Sequence, residues 1–550
     1  MNAIRPDVSP EPSPESVSQA APESAVQAVP IAAPLRGASV EPWPRWAWAL
    51  AWAVVLGGAA RMVRRFAEGY SLFFDEANLA AAILDRPWGQ LHLALDNQQI
   101  APLGLIYVGR ALLDAFGLSE MALRALPLSA GLGSLALLPF WLRRFVSPWP
   151  ALATLVLAAV CADAVVYASQ FKQYTLELLF ALWVMFAVDA WLRRPGWRPL
   201  AVAACGAALG VWFAMTTVFV AGGLGVVLAA RVAVRDRSQW KSVALAGAVV
   251  GGAFVLAYLL HVRHVRRADE LMGFMDGYWQ AGYVANPVVS PGKFIQAWVG
   301  VFRKPASLAL PGLGLGLAVL GAWTLLVRDR WRGVALLTPL AVAAALSLAG
   351  VYPLQDRLAL YLLAAIWPAM ALGLERLQRA RPGGFVAAAL LAALLVIPAV
   401  QNRGRMTVED LMPVVDRVNA AAQPGDTFYL YYGGRPMHDL YARVDPERGL
   451  PADGLVHGVR AREDWPAYLA DLDALAGRER VWVVFGHVVT WRGIDERRLM
   501  LMHLDRLGER RQAFEGAGAW AYLYDLTGPS ADGSPDAGPA AAGAAPPTEP

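Results

Sequence analysis

The sequence predicts an α-helical polytopic membrane protein carrying a small α/β domain at its C-terminal end. Three observations lead there. Apolar residues fill 57% of the 550 positions and charged residues only 17%, more hydrophobic surface than a water-soluble globule can hide. Between residues 44 and 400 the apolar stretches recur at lengths close to the ~20 residues that a helix needs to cross ~30 Å of hydrocarbon. Beyond Gln401 the chain turns polar and charged, with short strand-like runs between helix-like ones.

Taken in order, residues 1–42 are rich in Pro, Ala, Ser and Glu with no apolar period and read as a disordered tail, without the short apolar core and cleavage site of a removable signal peptide. The membrane domain is expected over 43–402. Its crossings are predicted at 44–63, 122–142, 148–167, 174–192, 198–213, 216–232, 242–262, 307–327, 333–350, 358–376 and 384–400. A further apolar stretch, 102–117, is short and carries Arg110 and Asp114 one helical turn apart, which suits a helix lying at the interface. The last domain, 403–527, has strand-like runs at 426–434, 481–487 and 520–526 and helix-like stretches near 408–421, 463–476 and 496–508. Residues 528–550 resemble the first tail.

The charges set an expected topology. Short cytoplasmic loops collect Lys and Arg, and basic clusters stand at 143–144, 193–198, 231–241, 328–332 and 376–381. With eleven crossings all five share the cytoplasmic side, the N-terminus is inside, and the loop 64–121 and the C-terminal domain lie outside. Arg61, Arg64 and Arg65 at the outer end of the first crossing run against this rule. The net charge of +4 over this length points to no nucleic-acid partner, and two cysteines in apolar segments make neither a disulfide framework nor a zinc site.

The polar residues that are hardest to explain gather on the expected outer face. In "SLFFDEANLA" Asp75 and Glu76 follow the first crossing. An acid there caps a helix whose first turn favours negative charge, or it holds a cation or takes a proton from a hydroxyl at the membrane surface. In "VVYASQFKQYTLELLF" Lys172 sits between Tyr167 and Tyr174, as a snorkelling Lys among belt aromatics or as a fixed charge for a lipid-linked phosphate. "RHVRR" at 263–267, which includes Arg266, and Arg357 in "YPLQDRLALYLL" admit the same two readings, a solvated or anchoring base or a phosphate contact. His261 and His264 have no third ligand of matching spacing, and there is no nucleotide-binding loop or metalloprotease helix.

These residues carry a resemblance. "FFDEA" followed by "LDNQQIAPLGLIYVGRALLDAFGLSEMALRALP" is similar to the start of the polyprenyl-phosphate-dependent membrane glycosyltransferases of the GT-C fold. That superfamily includes protein O-mannosyltransferases and the lipid A aminoarabinose transferase, and the pattern looks most like the bacterial lipopolysaccharide-core sugar transferases. Gln99, Pro102, Gly117, Glu120 and Arg124 follow the acid in the family's order, and Tyr167, Ser169, Lys172 and Tyr174 match the motif after the third helix. Gln170 stands where a carboxylate often lies, which would leave a second acid to Asp163 or Glu177, and Ala101–Pro102 replaces a common pair of prolines. The likeness spans roughly 44–375 and is nearly silent on substrate.

It implies a bacterial inner (plasma) membrane enzyme that moves a sugar from a polyprenyl phosphate to a hydroxyl of a lipid, glycan or protein acceptor, with inversion. Asp75, with Glu76, would supply the base. Lys172, Arg124, Arg357 and Arg266 would hold the donor phosphate, and Gln99, Glu120, Tyr167 and Tyr174 would contact substrate. Some relatives use a divalent ion near the acidic pair and others none, which leaves a metal on Asp75 and Glu76 open. A secondary transporter and a non-catalytic envelope assembly subunit are the other classes compatible with an outer cavity lined by acids.

Overall fold

A computed structural model describes residues 42–380, 383–401, 409–462, 464–491 and 493–528. The tails expected over 1–42 and 528–550 therefore fall, except for Pro42 and Gly528, outside the described residues.

The protein is helical and polytopic, as predicted. Among the described residues, eight helical segments are long and apolar enough to cross a membrane. They are α1 (Arg45–Ala67), α4 (Glu120–Leu142), α7 (Tyr174–Arg193), α9 (Thr217–Val234), the run Arg237–Arg266 that contains α10 (Trp240–Ala257) and α11 (Arg263–Arg266), α14 (Pro311–Arg328), α15 (Arg330–Leu348), and the run Asp356–Ala380 that ends in α16 (Leu363–Ala380). A ninth crossing forms if α5 (Pro148–Val160) and α6 (Ala162–Ala168), bent by 50° at Cys161, count as one. Two further apolar helices, α8 (Trp197–Phe213) and α17 (Gly384–Gln401), are shorter. Every predicted crossing is thus a helix, but only eight or nine reach full length; α8 and α17 make up the difference from the eleven expected.

Residues 102–117 do not add a crossing. They form α3 (Leu103–Phe116), whose 14 residues span only ~21 Å at 1.5 Å per residue. Arg110 binds Asp114 at 2.8 Å and the Ile83 carbonyl at 3.3 Å, which ties α3 to the end of α2 (Phe74–Leu84). The loop between α10 and α14 holds α12 (Asp269–Tyr278) and α13 (Pro291–Arg303).

The described residues of the five basic clusters, which leave out Arg381, lie at one end of the bundle. Asp189, at the end of α7, accepts from Arg144 at 3.0 Å, Arg193 at 2.9 Å and Arg332 at 2.6 Å. Arg231 reaches the Leu192 carbonyl at 2.8 Å, while Arg379 pairs with Glu375, which also accepts from Ser147. The acidic motif lies at the other end, because α4 starts beside it and finishes beside Arg144, and its 23 residues separate the two by ~34 Å. Arg65, one of the bases that ran against the charge rule, pairs with Glu68 at 2.9 Å and covers the Tyr70 ring.

The C-terminal domain is a three-layer α/β unit. Its sheet runs in the order β2 (Leu455–His457), β1 (Thr427–Leu430), β3 (Val481–Gly486), β7 (Ala519–Asp525), β6 (Glu509–Glu515), with β1 parallel to β2 and β3, and β7 antiparallel to β3 and β6. A short β4 (Thr490–Trp491) and β5 (Ile494–Asp495) pair separately. Alternate residues of β3 point to opposite faces. Trp482 and Val484 pack with α18 (Met412–Ala421) and α19 (Arg435–Val444), and Val481, Val483 and Phe485 pack with α20 (Trp465–Asp473) and α21 (Glu496–Leu507). The first of these cores continues into α2 and α3 through Leu72, Ala77 and Leu79, so the interfacial helices join the bundle to the domain.

Candidate active site

The acidic motif sits where α2 begins. The helix starts at Phe74, which puts Asp75 and Glu76 in its first turn, where the partial positive charge of the helix end favours carboxylates. Asp75 is therefore inside the helix and is not its cap. Glu76 does the capping: its Oε2 accepts from the Phe73 amide at 3.3 Å.

Glu76 is fully buried. Arg124 holds it bidentately, at 2.9 Å and 2.6 Å, and the Phe171 amide donates to Oε1. The same guanidinium binds the carbonyls of Tyr70 at 2.6 Å and Ser71 at 3.1 Å. One ion pair thus fastens together the entry to α2, the start of α4 and the turn before α7. Arg124, expected on a donor phosphate, is used up in this joint, and Glu76, expected beside Asp75 in catalysis, turns away from it for the same reason.

Asp75 points elsewhere. Its Oδ2 lies 3.2 Å from Nη2 of Arg357, and about a quarter of each side chain is exposed. Burial raises the Asp75 carboxyl, but Lys172, Arg357 and His487 outweigh it and hold the group below the usual carboxylate range. Lys172 is buried and donates to Gln99 Oε1 at 2.7 Å. Burial pulls its ammonium below the ordinary lysine value, and Asp75 pulls the other way. Asn97 and Gln98, just before Gln99, are both in the left-handed backbone region with φ near 56° and 57°, a strain concentrated at functional loops.

Aromatic rings wall the other side. The Arg357 guanidinium covers Tyr174 at 5.9 Å and Trp279 at 5.4 Å, and Tyr174 meets Tyr167 edge-on at 5.0 Å. Arg357 Nε has no partner among the described residues. Two cations thus face one carboxylate with donors to spare, which suits a bound anion. Beside the loop that carries Gln99, an apolar hollow of about 460 Å³ opens among His92, Leu103, Gly104, Tyr107, Trp212 and Leu260.

Of the residues singled out in the sequence, Asp75, Lys172, Arg357, Gln99, Tyr167 and Tyr174 come together. Glu120 accepts from the Tyr441 hydroxyl of α19, so it serves the contact between the two domains and not the Asp75 group. Arg266 is exposed at the end of α11 and makes no ion pair among the described residues, although neighbouring His261 bonds the carbonyls of His92 and Ala101 at 2.9 Å and 3.1 Å. Asp163 accepts from Ser307 at 2.6 Å, and Glu177 is buried with its Oε2 unpartnered among the described residues. No cluster of three metal-ligating side chains exists among the described residues, and the divergence of Asp75 and Glu76 keeps them from presenting two carboxylates to one ion.

The sequence missed Trp279, in a loop with no motif, and His487, more than 400 positions from the acid. His487 stacks on Phe74, with ring centroids 4.2 Å apart and planes at 15°, and its Nδ1 lies 2.9 Å from each Glu409 oxygen. An isolated "FGH" at the end of a strand carried no signal for either contact.

No family profile matches the chain, and no curated protein does. Among solved structures it is similar to an oligosaccharyltransferase of Archaeoglobus fulgidus in complex with Zn and sulfate, at 13% identity and a TM-score of 0.45, over 87% of this chain and 73% of that one. It is also similar to ArnT from Cupriavidus metallidurans bound to undecaprenyl phosphate, at 14% identity and a TM-score of 0.41, over 87% of this chain and 98% of that one. For the apo state of the same ArnT the values are 16% and 0.34, over 86% and 98%. At such identities and scores the likeness assigns neither fold family nor activity.

Proposed function

We propose that the protein is a membrane glycosyltransferase that moves a sugar from a polyprenyl-phosphate donor to an acceptor hydroxyl of a lipid, glycan or protein, on the outer face of a bacterial inner membrane. The reading is carried by one observation: a single carboxylate, Asp75, faces Lys172 and Arg357 at the end of the bundle opposite the five arginine clusters. Cytoplasmic loops collect arginines, which supports reading the acid end as the outer one. The order of motifs from "FFDEA" to the Lys172 turn supports the same assignment.

In this reading the donor phosphate occupies the anion site made by Lys172 and Arg357. The apolar hollow beside Gln99 takes its isoprenoid chain. Asp75 accepts the hydrogen bond of the acceptor hydroxyl and directs its oxygen at the sugar carbon. The carbon–phosphate oxygen bond breaks as the new carbon–oxygen bond forms, and the electron pair leaves with the phosphate, whose charge Lys172 and Arg357 compensate. Attack from the face opposite the phosphate inverts the anomeric centre.

A panel of polyprenyl-phosphate sugars offered to the protein in membranes, with products identified by mass spectrometry, tests this. Asp75→Asn is expected to lower transfer by a factor of ~10² to 10⁴, the usual reach of base catalysis. Lys172→Ala is expected to cost ~10² or more, as loss of one electrostatic donor does in a dry site. Wild-type rates in both variants, or no transfer from any donor in the panel, would refute the assignment.

A further inference from the structure

Asp75 is well placed to orient a hydroxyl but poorly suited to keep its proton. A carboxylate paired with Arg357 at 3.2 Å and attracted by Lys172 favours its charged form. The proton released by an acceptor needs a better base nearby, with a way out to water.

The C-terminal domain brings such a group. His487 follows the last residue of β3 and is held in the left-handed backbone region at φ 50°, an unusual conformation for a residue other than glycine. Its ring lies flat on Phe74, the residue before Asp75. Its Nδ1 contacts both oxygens of Glu409 at 2.9 Å. A carboxylate on Nδ1 fixes the tautomer, so Nδ1 carries the hydrogen and Nε2 is left as an acceptor. No partner binds Nε2 among the described residues, and 27% of the side chain is exposed. The charged groups around the ring are Glu409, Asp410 next to it, and Asp75, which itself faces Lys172 and Arg357. Asp410 is taken up by the amide and hydroxyl of Ser71, at 2.9 Å and 2.7 Å.

We propose that His487, oriented by Glu409, is the proton acceptor behind Asp75, so that the C-terminal domain completes the active site of the membrane bundle. The proposal rests on the glycosyl-transfer reading above. As the acceptor oxygen bonds to the sugar carbon and the phosphate leaves with its electron pair, the hydroxyl proton passes to Asp75. From there it passes to Nε2, which gives an imidazolium facing Glu409, and then to water outside. Asp75 returns to its paired, charged state, and no other reactant is needed. His487 acts through Asp75 and is a positioning and relay residue.

The tests use the full chain in detergent. The positive φ makes His487→Gly the variant with least backbone strain. With a polyprenyl-phosphate sugar that the wild type turns over, His487→Gly should lose ~10²-fold in kcat/KM. Imidazole added to this variant should restore turnover, with substituted imidazoles ranked by basicity, a result that a merely stacking ring would not give. Glu409→Gln removes the carboxylate that orients the ring and should lower kcat/KM by a smaller factor. Wild-type kcat/KM in His487→Gly, or no rescue of that variant by imidazole, overturns the relay.

A second measurement needs no donor. In protein labelled with nitrogen-15 at its seven histidines, the signal absent from His487→Gly should report a ring with its hydrogen on Nδ1. Glu409→Gln should weaken that tautomer preference and Asp75→Asn should shift the Nε2 resonance. If neither does, the relay fails whatever the substrate; if both do while no lipid-linked sugar is consumed, the glycosyltransferase reading fails on its own.

Discussion

Asp75 and Glu76 are chain neighbours of the same chemistry, and their surroundings divide them. Glu76 accepts from a guanidinium and two amides with no exposure to water, and Arg124 spends its donors on Glu76 and two carbonyls. Removing one member of such a pair strands the other charge, at a cost of ~3–5 kcal/mol. Glu76→Gln is therefore expected to lower the unfolding temperature in detergent markedly. Asp75→Asn, at a group 23% exposed with one ion pair, should lower it less. Equal melting of the two variants would contradict this division. The ionisation of Asp75 follows the same geometry: its carboxyl is held below the ordinary value, so stability drawn from its pairing is present above ~3.9 and is lost as pH falls through the lower folded value. That two adjacent acids would matter was legible in "FFDEA". Which of them would be spent on an internal ion pair was not, because Arg124 stands 48 positions away.

Helix contacts within the bundle depend on how closely backbones approach. A close crossing is that between α14 and α16, where a methyl group on Gly321 would lie 1.9 Å from the Ala369 carbonyl oxygen and one on Gly373 2.1 Å from that of Leu317. In a bilayer there is little hydrophobic drive between helices, and small residues that allow such contact supply the attraction. Gly321→Ala must push the helices apart and is expected to cost at least ~1–3 kcal/mol, read as a lower melting temperature. Gly222→Ala on α9, where nothing lies within 4 Å, is the control and should be neutral. If Gly321→Ala behaves like that control, the two helices do not meet as described. Helix positions themselves were readable from apolar run lengths, since crossing the membrane fixes both period and length. The break at Cys161 was not, because it is set by contacts with the distant loop at Pro305 and Ser307.

At the scale of the whole molecule, the arginine end and the acid end are held apart by the length of α4, and the C-terminal domain is docked on the acid end. Asp410 binds Ser71, Tyr441 donates to Glu120 and accepts from the Leu72 amide at 2.8 Å, Arg443 pairs with Asp85, and His487 covers Phe74. A periplasm-dependent reporter fused after Gln401 is expected to be active, and one fused in the 231–241 loop inactive. The reverse pattern would put the acids in the cytoplasm. The sequence by itself determined that the chain is an integral membrane protein of many helices with a polar α/β end, because hydropathy and charge act locally and need no partner. Only the tertiary structure decided which bases reach Asp75, that Arg124 and Glu120 are engaged elsewhere, and that His487 from another domain covers Phe74 beside the acid. Those contacts depend on the paths of segments far apart in the chain, and no local pattern encodes where two such paths meet.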